Sequence, residues 1–172
     1  MDESNDGRNP RPPQIADVVK LCKSLNEQGV LYVVIGGFAV ILHGALRNTK
    51  DVDLLVVPSV ENAQKLKKAM SVLEDNAVSE IEDEDIARHQ VVRVADEFVV
   101  DLMANACGID YEQIKNGIEW VEIDGVRIPI ASKEWLIRTK DTIRLSDKVD
   151  IGFLLREIDG EKKAAEKNPG KK

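Results

Sequence analysis

The stretch VIGGFAVILHGALRNTKDVDLLV, residues 34–56, decides how this chain is read. It lies across two apolar runs, LYVVI (31–35) and DVDLLVV (51–57), each short enough for one buried strand. Between them come a Gly-Gly pair, a segment FAVILHGA that suits a short buried helix, and a polar loop LRNTK. Side chains alternate across a strand, so Asp51 and Asp53 point one way while Val52, Leu54 and Val56 point the other. Two carboxylates held together above an apolar underside repel each other unless a cation sits between them. Magnesium takes oxygen ligands, usually one or two carboxylates plus substrate phosphates. Asp51 and Asp53 are therefore candidate ligands for Mg2+ (or Mn2+).

A third carboxylate follows the same logic. In EFVVDLMA, Phe98, Val100 and Leu102 share one face and Asp101 takes the other. If that strand lies beside DVDLLVV, Asp101 joins the pair, and three carboxylates could hold two ions about 3.5–4 Å apart. One ion would grip a triphosphate. The other would acidify an attacking hydroxyl, with Asp101 accepting the proton. Gly36-Gly37 reads as a turn between a strand and a helix start, where free N–H groups point at an anion. The missing side chains would let phosphates approach. Arg47, in the loop before the acidic strand, would neutralise phosphate charge.

Residues 1–14, polar with three prolines, read as a flexible arm. Ile15, Val18, Val19, Cys22 and Leu25 repeat at helical spacing, and Gly29 closes that helix. Pro58 ends the acidic strand, and Ser59 caps a helix with Ala63, Leu66, Ala69, Met70 and Leu73 on its apolar face. EIEDEDIARH (80–89) is a charged connection. QVVRVA and EFVVDLMA read as strands joined by a tight turn near Asp96. IEWVEI and VRIPIA flank Asp124-Gly125, a strong hairpin signal. From Ser132 the pattern is helical, with Trp135, Leu136, Ile137, Val149, Phe153 and Leu154 as buried candidates. Residues 159–172 read as a disordered charged tail. The expected fold is α/β (α+β): one domain over 15–158, a small mixed sheet covered by helices on one face, and a helical C-terminal segment.

Composition sets outer bounds. The 172 residues suit one domain with its own core. Aromatics make up 4%, too few for a base-stacking platform, so Trp120 and Trp135 are expected in the core. A net charge of -7 argues against a polyanion held by clustered Lys and Arg. Cys22 and Cys107 form no CxxC pair and read as reduced thiols. The start shows no signal peptide and no stretch is long enough to span a bilayer, so the expected compartment is the cytoplasm. His43 reads as a buried histidine propping the loop before Asp51, and His89 as a surface residue. Glu82 to Asp85 read as a solvated acidic loop.

The order Gly-Gly, helix, R-N-T-K-D-V-D, then a later strand with one inward Asp resembles the DNA polymerase β-like nucleotidyltransferases. The form GG-x-A-x-x-x-H-G-x-x-R-x-T-x-D-h-D is similar to that of the small AbiEii-toxin-like branch. The likeness covers about residues 15–155, and its specific part is 35–53 plus Asp101. It implies that Asp51, Asp53 and Asp101 bind metal and carry catalysis. It implies too that Gly36 and Gly37 hold the triphosphate, supported by Arg47 and Thr49. Lys140, Arg144, Asp147 and Asp150 resemble the branch's C-terminal Lys, Arg, Lys-Asp, Asp pattern, which makes Lys140 a nucleotide-binding candidate. Two departures are visible: Lys140 to Arg144 is one residue shorter than usual, and Ser146 stands where a basic residue is common. The implied function is metal-dependent transfer of a nucleoside monophosphate from a nucleoside triphosphate to a hydroxyl of RNA, protein or a small molecule. A toxin with an antitoxin partner is one version. The alternative is an inactive module that binds nucleotide or a protein partner; the three carboxylates argue against it, and the short chain argues for it.

Overall fold

The strands built on the two central apolar runs lie side by side. The computed structural model describes residues 9–170; the first eight residues of the expected arm, and residues 171–172 of the expected tail, lie outside the described residues. In chain order the elements are α1 (Ile15–Glu27), β1 (Tyr32–Ile35), α2 (Gly36–Leu42), β2 (Asp51–Val56), α3 (Val60–Met70), α4 (Asp85–Arg88), β3 (Val92–Ala95), β4 (Val99–Met103), β5 (Asn105–Ala106), β6 (Ile109–Asp110), α5 (Tyr111–Ile114), β7 (Ile118–Ile123), β8 (Val126–Ala131), α6 (Lys133–Thr139) and α7 (Leu145–Lys167). Six strands form one mixed sheet in the order β3-β4-β2-β1-β8-β7. The β2–β4 and β1–β8 pairs are parallel and the others antiparallel. Helices α1 and α3 pack together, with α1 also on β8, while α2 packs on β2 and α6. This is the expected mixed α/β fold flanked by helices. Among the described residues no helix is long and apolar enough to cross a membrane.

Local chemistry explains the element ends. Ser59 Oγ accepts from the Asn62 N–H and caps α3, as its position before an apolar face predicts. The buried Asn62 amide then accepts from the Leu31 N–H at 2.8 Å and donates to the carbonyls of Leu31 and Val57, which clips the ends of β1 and β2 together. Asp124 and Gly125 both take positive φ, the conformation a two-residue hairpin needs. The turn at Asp96 is fixed by its buried carboxylate, which accepts N–H bonds from Asp75, Ala77 and Glu97. The core is aliphatic, as the low aromatic content requires. Leu21, Leu25, Leu54, Leu66 and Leu102 are fully buried, each stabilising the fold by about 1.5–3 kcal/mol.

Several expectations need correction. Residues 11–14 are not a free arm: the Arg11 N–H donates to Glu97 O at 3.0 Å, and its guanidinium grips Asp17 at 2.7 and 2.8 Å. Helix α7 does not stop near residue 158 but runs to Lys167. Ala164 and Ala165 are strong helix formers, and the Lys163–Asp159 and Lys133–Glu161 ion pairs support that turn of the helix. Val149 is 63% exposed, because the buried stripe of α7 is Asp147, Asp150 and Leu154. Trp120 is 53% exposed on β7, where the Arg127 guanidinium stacks on its ring. His43 is a buried prop, but its Nε2 bonds Ala131 O of β8 at 2.9 Å, not the loop before Asp51.

Candidate active site

The sheet assembles three carboxylates from two strands. Asp51 and Asp53 share a face of β2, while Val52, Leu54 and Val56 are fully buried on the other. Because β4 lies parallel to β2, Asp101 falls directly beside Asp53 in the register. One oxygen from each of Asp51, Asp53 and Asp101 lies within 4.8 Å of the others, a spacing one divalent ion can bridge. The donor set is all hard oxygen, which suits Mg2+ or Mn2+ over softer metals.

The electrostatics match that reading. The Asp53 carboxyl is pushed up to about 7 by burial, and then by the charges of Asp51 and Asp101; Lys140 and Arg144 pull it back. The Asp53 carboxyl is thus only partly ionised near neutrality. Asp101, buried at its base, meets Arg93 from the adjacent β3, whose register places the two side by side. Arg93 Nε donates to Asp101 Oδ1 at 2.9 Å and Nη2 to Oδ2 at 2.8 Å, and the same Nη2 lies 3.6 Å from Asp51 Oδ2. Sequence reading missed Arg93. The signal was present: in QVVRVADEFVVD, a turn centred on Glu97, next to Asp96, sets position 93 opposite position 101.

Gly36 and Gly37 are not a free turn; they are the first two residues of α2. Gly36 has φ +66, and a Cβ there would fall 2.7 Å from Asp53 Cγ and closer still to its Oδ2. A Cβ on Gly37 would fall 2.8 Å from Thr49 Oγ1 and 3.1 Å from an Arg47 guanidinium nitrogen. The absent side chains therefore make room for Asp53, Thr49 and Arg47 to lie on the backbone where α2 begins. The first-turn N–H groups of a helix have no partner inside it.

The opposite wall comes from the C-terminal helices. Lys140, just after α6, is buried and pairs with Asp150 at 2.8 Å and Asp147 at 3.4 Å, both on α7. Arg47 also pairs with Asp150, and Thr142 and Arg144 with Asp147. This buried network ties the loop before β2 to α7. The two walls enclose a cleft of about 550 Å³, lined by Gly36, Gly37, Arg47, Thr49, the three carboxylates, Arg93, Lys140 and Arg144, among others. Every candidate residue read from the sequence thus lines one cleft, and Arg93 is added to them. Arg47, Lys140 and Arg144 all have carboxylate partners, and of the three Arg144, 74% exposed at its side chain, is the most open to solvent.

Known proteins share this arrangement at the level of the fold. A protein of Thermotoga maritima assigned as a nucleotidyltransferase superposes with a TM-score of 0.52 at 19% identity, over 90% of this chain and 98% of that one. The lincosamide antibiotic adenylyltransferase LnuA, with lincomycin bound, superposes with a TM-score of 0.54 at 18% identity, over 84% of this chain and 98% of that one. Among curated proteins no sequence matches. The family described as "Nucleotidyl transferase of unknown function (DUF2204)" matches residues 14–164, nearly the whole chain, and the protein belongs to that family.

Proposed function

We propose that the protein transfers a nucleoside monophosphate from a nucleoside triphosphate to a hydroxyl acceptor. The observation that carries this is the meeting of Asp51, Asp53 and Asp101 in one register, directly against the glycines that open α2. Asp51, Asp53 and Asp101 would hold magnesium or manganese. When bound, divalent ions neutralise the triphosphate and acidify the acceptor hydroxyl. Gly36, Gly37 and Thr49 line the side where the triphosphate would lie, and Arg47, Lys140 and Arg144 supply positive charge there. The acceptor oxygen bonds to the α-phosphorus, the bond to the leaving pyrophosphate breaks, and Asp101 takes the hydroxyl proton.

The cleft lining mixes its charged residues with apolar Ile35, Val91, Met103 and Ala106, of which Val91 is exposed. Such a lining, on a chain of net charge -7, fits a small organic hydroxyl compound better than a nucleic acid. LnuA, an antibiotic adenylyltransferase of the same fold, is consistent with that choice.

The test is incubation of the protein with Mg2+ and α-labelled triphosphates in the presence of small-molecule, protein and RNA fractions. Label is expected in the small-molecule fraction with wild type and not with Asp51→Asn/Asp53→Asn. Label in RNA would overturn the acceptor assignment. Tight triphosphate binding with no fraction labelled would make the chain a nucleotide-binding module.

A further inference from the structure

Among the described residues, all polar contacts of the Arg93 side chain go to two of the three carboxylates. Its Nη2 stands between Asp101 Oδ2 and Asp51 Oδ2, the oxygens a cation shared by those residues would need. Arg93 comes from β3, the edge of the sheet, and its side chain is 61% exposed. It can therefore swing into solvent without opening the core. We propose that Arg93 is an internal counter-cation that occupies the acceptor-side metal position and must swing off Asp101 before a second divalent ion binds.

Charge counting gives the consequence. Three carboxylates and one guanidinium leave two negative charges, which a single divalent ion on Asp51 and Asp53 neutralises. A second ion then meets a neutral cluster and a resident cation. It gains a place when a triphosphate brings negative charge, or when Arg93 leaves. The protein would thus load one ion by itself and the second with nucleotide, which keeps an activated hydroxyl from forming before the triphosphate is in place. This inference rests on the metal-binding reading of the three carboxylates.

Mn2+ titration of the nucleotide-free protein, followed by electron paramagnetic resonance and calorimetry, tests it. Wild type is expected to bind one ion well and a second at least tenfold more weakly. Arg93→Gln should bind the second ion at least tenfold more tightly than wild type does, Arg93→Lys should resemble wild type, and millimolar guanidinium should weaken the second site of Arg93→Gln again. In wild type with 15N-labelled arginine titrated with diamagnetic Mg2+, the Arg93 Nε–H signal should move much further on binding of the second ion than of the first. Identical Mn2+ isotherms for wild type and Arg93→Gln, or an Arg93 signal that ignores the second ion, would overturn this inference and leave the metal site standing. A wild type that binds no Mn2+ would overturn both.

Discussion

Gly36 and Asp53 lie so close that a single added carbon at residue 36 would collide with the Asp53 carboxyl. The contact joins the start of α2 to the middle of β2, so the helix start packs directly on the acidic face of that strand. Gly29 shares the positive φ of Gly36 but has open space where its Cβ would be. Gly36→Ala and Gly29→Ala should therefore each lose about 1–3 kcal/mol from left-handed backbone strain. Only Gly36→Ala should also lose Mn2+ and triphosphate binding. Urea denaturation and calorimetry on the two variants check this, and retained binding in Gly36→Ala would show that Asp53 is not held by that contact.

The raised Asp53 carboxyl makes the metal-free protein sensitive to pH. An unfolded Asp titrates near 3.9 and this one near 7 in the folded state. A group whose folded value is raised stabilises the fold at low pH and loses that contribution as pH rises through the folded value. In EDTA, the protein should thus be less stable at pH 8 than at pH 5 by about 2–4 kcal/mol from this group. Asp53→Asn should remove that dependence, and Mg2+ should restore stability to the wild type at pH 8. Melting curves at both pH values, with and without Mg2+, measure it; an unchanged slope in Asp53→Asn would reassign the shift.

Lys140 and Arg144 both line the cleft, yet their losses should differ in kind. Lys140 is buried against Asp147 and Asp150, and removing it leaves carboxylates without their full charge partner. Lys140→Met should cost about 3–5 kcal/mol of stability. Arg144 is exposed, and Arg144→Ala should cost under about 1 kcal/mol. It should nevertheless weaken triphosphate binding, because it is a cation in the lining of the cleft. Denaturation and nucleotide titration on the two variants separate the roles. A large stability loss in Arg144→Ala would place it with the structural network.

Much of the site was readable because its logic is local. Alternation along β2 and β4 puts each acid on the face opposite its apolar neighbours, and this needs no tertiary knowledge. The Ser59 cap and the Asp124-Gly125 hairpin are equally local. The readings that failed depend on distant partners. Val149 matches a helical apolar period, but α7 turns inward the face carrying Asp147 and Asp150, because Lys140 and Arg47 wait there. Hydrophobic periodicity cannot find a buried stripe made of carboxylates. The β5–β6 ribbon was also missed, since its turn places Cys107 at φ 50, where Asn, Asp or Gly would have signalled it.

Asp101 should separate chemistry from binding. Asp51 and Asp53 can hold one ion with its triphosphate, so Asp101→Asn should keep triphosphate affinity within about tenfold, or 1.4 kcal/mol. Transfer should fall at least about a thousandfold, since the acceptor hydroxyl loses both the ion that acidifies it and the carboxylate that takes its proton. The ion pair adds a complication that can be tested. Freed from Asp101, Arg93 has Asp51 at 3.6 Å as its remaining carboxylate contact, and by closing on it would compete with the triphosphate-bearing ion. Any loss of triphosphate affinity in Asp101→Asn should therefore be recovered in Asp101→Asn/Arg93→Gln, while transfer stays low in both. Single-turnover transfer and nucleotide titration of the two variants decide the matter. Wild-type transfer rates in Asp101→Asn would remove this carboxylate from the reacting centre, and an unrecovered affinity in the double variant would show that Arg93 does not move onto Asp51.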